Sequence, residues 1–338
     1  MFLTKAIKFL ITRKRIPPKS KILDYFKVRR KIMPLPFFAQ IEPTTRCNFN
    51  CVTCTRTTLN PSRLNRDLTL EEFKIILEQI PSLIEIKLQG MGEPFLNPHL
   101  EEILEYGKKQ KISFYTITNG SVLKFYKHLL QYFDFLTISF DSSSKENFEK
   151  IRRGAKFEEI IENAKELIHY KIQHKLKTKI GFNTVVSHLN YQEINAIVEL
   201  AKNLKLDYVG FVEVENWTTP LEKEFEIERE FIRESRKYSQ KIKNIIENVI
   251  KKNNSFTQIS FYSSQKRKSI CTWPFYRVFI TVDGFVTPCC IRMNPQVFNF
   301  GNIFEETFEK IWNGEKYLKF RESLIKDLPN PVCDFCPD

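Results

Sequence analysis

What the sequence lacks excludes several large classes. No stretch of its 338 residues nears the ~20 uninterrupted apolar residues of a membrane-spanning helix. The apolar start "MFLTKAIKFLITRKR" is broken by Lys5 and Lys8 and is followed by no small-residue cleavage site, so it reads poorly as a secretory signal. Eight cysteines are too few for a disulfide framework in a chain of this length. The formal net charge is +13, yet neither a zinc-finger nor an RNP pattern accompanies it. Basic residues are dense only at 13–31 and in "QKRKS" (265–269), and elsewhere they alternate with glutamate as on a solvated surface. No nucleic-acid partner is expected, although the charge alone keeps a nucleic-acid-modifying enzyme as a weaker alternative.

The cysteines that are present fall into two groups, which suggests metal. Cys47, Cys51 and Cys54 are spaced C-x3-C-x2-C in "CNFNCVTC". The second group is Cys271, Cys289, Cys290, Cys333 and Cys336. A zinc or iron–sulfur site usually takes four protein ligands, and after Cys54 the next cysteine is Cys271. Thiols kept reduced place the chain in the cytoplasm. Residues 1–36 form a basic amphipathic extension, with Phe2, Leu3, Ile7, Leu10 and Ile11 set against Lys5, Lys8, Arg13 and Lys14. It reads as a helix packed on the body, or as one in weak peripheral contact with a membrane surface.

Between the two groups, apolar or β-branched runs at 83–88, 112–117, 134–140, 178–186 and 206–214 alternate with helical patterns. "TLEEFKIILEQI" opens with a capping box, Thr69 with Glu72. The segments 157–170 and 191–204 each carry one apolar helical face. With a first strand near 37–42 these make six βα units, hence a parallel sheet with helices outside. Six units are too few for a closed eight-stranded barrel, so an open partial (β/α)6 barrel over 37–215 is expected. A helical linker follows at 216–265, then a small cysteine-bearing domain at 266–338 with the hairpin "RVFITVDGFVTPCC" turning at Asp283–Gly284.

In such sheets the reactive site lies at the carboxyl ends of the strands. "CNFNCVTC" follows the first strand, "QGMGEP" (89–94) the second, "TNG" (118–120) the third, and "SFD" (139–141) ends the fourth. Taken alone, "TNG" equally fits a turn and "SFD" a capping loop before 144–150.

The cysteine triad, the Gly-Glu-Pro loop and the six βα units together resemble the radical S-adenosylmethionine superfamily. The resemblance implies that Cys47, Cys51 and Cys54 hold three irons of a [4Fe–4S] cluster and leave the fourth to S-adenosylmethionine. It implies reductive cleavage of S-adenosylmethionine to a 5′-deoxyadenosyl radical that abstracts a substrate hydrogen atom. It places Gly92, Glu93 and Pro94 at the methionine amino group and Ser139, Asp141 and Asn183 near the ribose or carboxylate. Val209 to Phe211 would flank the adenine. Thr53 stands where the family often has an aromatic residue before the third cysteine.

The order C-x17-C, a long gap and C-x2-C, with "FVTP" after Gly284, resembles the SPASM/twitch auxiliary-cluster region. It implies a second [4Fe–4S] cluster on Cys271, Cys289, Cys333 and Cys336, with Cys290 spare; a zinc site on the same four is the alternative. A cluster held entirely by protein suits electron transfer, hence a two-electron oxidation of a sugar-like or other small biosynthetic molecule. Residues 1–36 are too short for a peptide-docking domain, which places peptide or protein modification second. A non-catalytic electron carrier or sensor would not need the Gly-Glu-Pro loop. A reducing partner such as flavodoxin or ferredoxin is implied.

Overall fold

The computed structural model describes residues 33–338 apart from 223–224, 254, 256, 263–270, 272, 334–335 and 337–338. The basic extension up to residue 32 and the "QKRKS" cluster therefore lie outside the described residues.

The alternating pattern gives β1 (Phe38–Ile41), β2 (Glu85–Leu88), β3 (Ser113–Thr118), β4 (Phe133–Ser139), β5 (Lys179–Val186) and β6 (Tyr208–Glu213). They pair in sequence order, all parallel. Parallel strands need crossover connections; α-helices supply them except between β3 and β4, where 3-10 turns at Leu123–Phe125 and Lys127–Tyr132 do so. Helix α1 (Leu70–Gln79) has the full Thr69/Glu72 capping box and buries Phe73, Ile76 and Leu77. Helix α2 (Leu100–Lys109) buries Ile103 and Leu104. A short helix α3 (Lys145–Ile151) precedes α4 (Phe157–Gln173), which buries Ile160, Ala164, Leu167 and Ile168. Helix α5 (Ile194–Asn203) buries Ile194, Ile197, Val198 and Ala201. These apolar stripes cover one face of the sheet, where Phe114, Ile138, Phe182 and Phe211 are essentially inaccessible. The opposite face carries half-buried Tyr115, Thr137, Asn183 and Tyr208.

Two parts of the expected architecture need correction. The span 216–265 holds helices α6 (Phe225–Arg236) and α7 (Ser239–Lys252), but it also holds a seventh parallel strand, β7 (Gln258–Tyr262), on the outer edge of β6. Its signal was the short alternation of Ile259 and Phe261 with Gln258, Ser260 and Tyr262. The cysteine-bearing hairpin is not separate from the barrel. Strand β8 (Arg277–Ile280) pairs in parallel with β1, and β9 (Val286–Thr287) closes the edge antiparallel to β8. The result is one open nine-stranded sheet, ordered β7-β6-β5-β4-β3-β2-β1-β8-β9. An unpaired β1 would leave a row of buried backbone groups without partners, and β8 supplies them. Helices α8 (Phe308–Asn313) and α9 (Glu315–Ile325) then pack behind the hairpin. Among the described residues, no helix is long and apolar enough to cross a membrane.

Candidate functional site

The loop after β1 is fixed by its neighbours before any cofactor is considered. Gly92 N–H donates to Thr44 O at 3.1 Å and Glu93 N–H to Arg46 O at 2.7 Å, so the Gly-Glu-Pro loop is laced to the segment entering Cys47. A Cβ on Gly92 would lie 2.4 Å from those same two carbonyl oxygens, which is why only glycine fits. On the other side, Asn50 N–H and Val52 N–H donate to Arg153 O (2.8 Å) and Ile151 O (2.9 Å). Asn48 joins the "TNG" loop through Asn119 (2.8 Å) and Ser121 (2.9 Å).

Cys47, Cys51 and Cys54 are thereby gathered within mutual electrostatic range. Burial raises the Cys47 thiol above its ordinary value and pushes Cys51 up to about 11, and the neighbouring thiols add to both. Grouped, desolvated thiols ionise when metal balances their charge. Three thiols in one loop are the donor set that suits an iron–sulfur cluster, whose normal ligands are thiolates.

Glu93 is 2% exposed and both carboxylate oxygens are used. Thr118 Oγ1 donates to one at 2.6 Å and Asn119 N–H to the other at 2.6 Å, with Phe95 N–H at 3.3 Å. Burial outweighs these bonds and raises its carboxyl to about 7. The side chain expected near a ligand is thus a tie between two loops. Its neighbour Pro94 is buried and opens a single turn of 3-10 helix.

Asp141 is committed in the same way: its oxygens take Arg152 Nη2 at 2.7 Å and Val185 N–H at 2.8 Å. What reaches the thiols is Arg152, a buried guanidinium acted on by Asp141, Cys51 and Cys54. Sequence reading missed it, since nothing local distinguishes one arginine of "IRRG". Ser139 and Asn183 stand opposite one another in register and half-buried on the inner face, where a Cβ on Gly210 would meet Asn183 Oδ1 at 3.6 Å. Phe211 requires correction. Successive strand residues alternate faces, so its ring points to the helices and is 1% exposed; Gly210 is the inward residue.

The second group divides. Burial raises the Cys289 thiol well above its ordinary range, and Cys290, Cys336 and Cys271 act on it in turn. Cys336 N–H donates to Cys333 O at 2.9 Å, which brings the two ends of the C-x2-C together. Cys290, one residue on, lies instead under the influence of Lys87, Glu215 and Arg277; burial pushes it up to about 11. The hairpin turn has Gly284 at φ +88°, the left-handed region. It is also tied to the first site. Arg63, 6% exposed, donates to Asp283 at 2.8 and 2.9 Å and to Glu42 at 3.1 Å. Glu42 in turn accepts from Met91 N–H at 2.9 Å and Val282 N–H at 3.2 Å. No sequence pattern marks that junction.

Comparison with known proteins agrees with this geometry. The family model of the radical SAM superfamily matches residues 41–201, and that of the SPASM iron–sulfur cluster-binding domain matches residues 271–337. The latter sets aside zinc for the C-terminal region. The chain is 26% identical to the antilisterial bacteriocin subtilosin biosynthesis protein AlbA of Bacillus subtilis, over 90% of this chain and 67% of that protein. It is 25% identical to the tungsten-containing aldehyde ferredoxin oxidoreductase cofactor-modifying protein of Pyrococcus furiosus, over 88% and 86%. Its fold is similar to that of Streptococcus suis SuiB bound to precursor peptide SuiA, with TM-score 0.68 at 16% identity, covering 94% of this chain and 72% of that one. The chain belongs to the radical SAM superfamily, carries a SPASM domain, and has S-adenosylmethionine and iron–sulfur clusters as its cofactors.

Proposed function

We propose that this radical SAM/SPASM enzyme carries out a two-electron oxidation of a polar small molecule. The observation that carries the reading is the division of the second cysteine group. Cys289 is acted on by Cys290, Cys336 and Cys271, while the charged groups acting on Cys290 are Lys87, Glu215 and Arg277. Four protein ligands, Cys271, Cys289, Cys333 and Cys336, then fill a second cluster and leave no iron open to substrate.

Cys47, Cys51 and Cys54 hold the first cluster, with one iron left for S-adenosylmethionine. Arg152, held by Asp141, balances the thiolate charge. Glu93 locks the Gly92–Pro94 loop to the end of β3, and Ser139, Asn183 and Gly210 offer a polar inner edge to S-adenosylmethionine. When bound, these groups supply one-electron cleavage of a sulfonium, hydrogen-atom abstraction and acceptance of a second electron. Thr137 and Tyr208, whose hydroxyls lie 2.6 Å apart, join half-buried Lys87 on the inner face as hydrogen-bonding groups suited to a hydroxyl-rich substrate. Electrons enter from a flavodoxin- or ferredoxin-like reductant.

Peptide modification is the second reading, favoured by the relative named for subtilosin biosynthesis. The test is anaerobic turnover of the reconstituted chain with deuterated polyols, aminocyclitols and short peptides. A deuterated small alcohol should deliver its label to 5′-deoxyadenosine and appear as a ketone. Cys333→Ala should still cleave S-adenosylmethionine yet yield little ketone. Label arriving only from peptides, or a redox-neutral product, would overturn the reading.

A further inference from the structure

Helix α9 carries Tyr317 into the aromatic cluster of the C-terminal region. The side chain is fully buried. Its ring is clamped, stacked on Phe300 at 3.7 Å with 18° between planes and packed on Trp312 at 4.7 Å. The Arg321 guanidinium lies 4.1 Å from its centroid and 4.2 Å from that of Trp312. Arg321 is itself pinned, donating to Pro274 O and Trp312 O, each at 2.6 Å. The phenol thus has almost no rotational freedom left except about its C–O bond.

Its hydroxyl has no hydrogen-bond partner among the described residues. A buried donor left without a partner costs about 1–3 kcal/mol, and Tyr and Trp polar atoms usually find one when buried. The ionisable groups that act on this hydroxyl are Arg321, Cys289 and Cys271. The last two are the thiols that the reading above assigns to the auxiliary cluster. A preorganised O–H within electrostatic range of two thiols assigned to the cluster meets an acceptor once sulfur there carries negative charge.

We propose that Tyr317 is a positioning residue for the auxiliary cluster, its hydroxyl donating to sulfur on the Cys271–Cys289 side and, with the Arg321 cation behind the ring, favouring the reduced state. The inference rests on the C-terminal group binding a cluster. Hydrogen bonds to cluster sulfur and nearby positive charge both raise a cluster's reduction potential. That suits a cluster whose proposed task is to accept an electron.

The experiment uses the full chain carrying Cys47→Ala, Cys51→Ala and Cys54→Ala, so that only auxiliary-cluster signals remain, with and without Tyr317→Phe. Iron content should be the same in both. The midpoint potential in an EPR-monitored titration should fall with Phe by about 59 mV, the one-electron equivalent of roughly tenfold in the oxidised–reduced equilibrium. Pulsed EPR of the unaltered chain in H2O and D2O should find an exchangeable proton coupled to the auxiliary cluster, and this stands as the test if the Phe variant loses its cluster. An unchanged potential at full iron, or no exchangeable coupled proton, overturns the role of Tyr317 alone. No iron in the triple-alanine background overturns the cluster assignment, and the inference with it.

Discussion

The loop bearing Cys47, Cys51 and Cys54 is held by hydrogen bonds from three neighbouring segments, whereas the wall beside Cys271 and Cys289 is built of aromatic rings. On the first side, backbone and side-chain bonds from 92–93, 118–121 and 151–153 position a loop whose three cysteines stay half-buried. On the second, Phe300, Phe308, Trp312, Tyr317 and Phe320 pack together behind a buried Cys289. Directional bonds can hold a concave loop open without filling it, while apolar packing removes volume. One region is therefore held mainly by directional bonds and the other mainly by apolar packing. The Glu42–Arg63–Asp283 ion network is where the two meet.

The largest effect expected bears on the claim that the second region is closed by four cysteines. Iron in the reconstituted chain should fall from roughly eight to roughly four atoms on Cys289→Ala, and stay near eight on Cys290→Ala, as two four-iron clusters require. Iron analysis with visible spectroscopy measures this; loss in both variants would erase the distinction between the neighbours.

Next comes the junction. Arg63→Met leaves buried Glu42 and half-buried Asp283 without their cation, and breaking a buried pair typically costs about 3–5 kcal/mol. Denaturant unfolding should register a loss of that order. Arg63→Met together with Asp283→Asn should lose less than the sum of the single changes, because the partners are coupled. Strict additivity would mean that the two regions are not joined there.

A somewhat smaller effect isolates the hydrogen-bonded side. Burial raises the Glu93 carboxyl from an ordinary 4.5 to about 7. Between those values the folded chain holds a proton that the unfolded chain has released. This contribution to stability is full below about pH 4.5 and is lost as pH rises through about 7. Glu93→Gln should flatten that slope, by about 3 kcal/mol across the window. A variant that keeps the wild-type pH profile would show that the slope has another source.

Much of this was legible from short-range pattern. Strand periodicities gave the six core strands to within about two residues, because each reports a local alternation of burial, while the connection from β3 to β4 proved to be 3-10 turns and not an α-helix. The Thr69 capping box formed as its spacing required. The hairpin turned at Asp283–Gly284, where a left-handed residue was needed. What escaped was the partnership of distant segments. Strand β7 was hidden in five residues that follow two helices. Phe211 was misplaced because sequence shows alternation but not which face is inner.

The sequence by itself determined the chemistry available: a thiol triad in one loop, a second cysteine group, and strands that end in polar loops. The triad and the strand-end loops each depend on residues within a few positions of one another. Only the tertiary structure decided which polar groups remain free. It spends Glu93 on Thr118 and Asn119, turns Asp141 to Arg152, and brings Arg63 to Asp283 across 220 residues of chain. A buried charge must find its partner wherever the fold places one, and that choice is made in space, after the strands have paired.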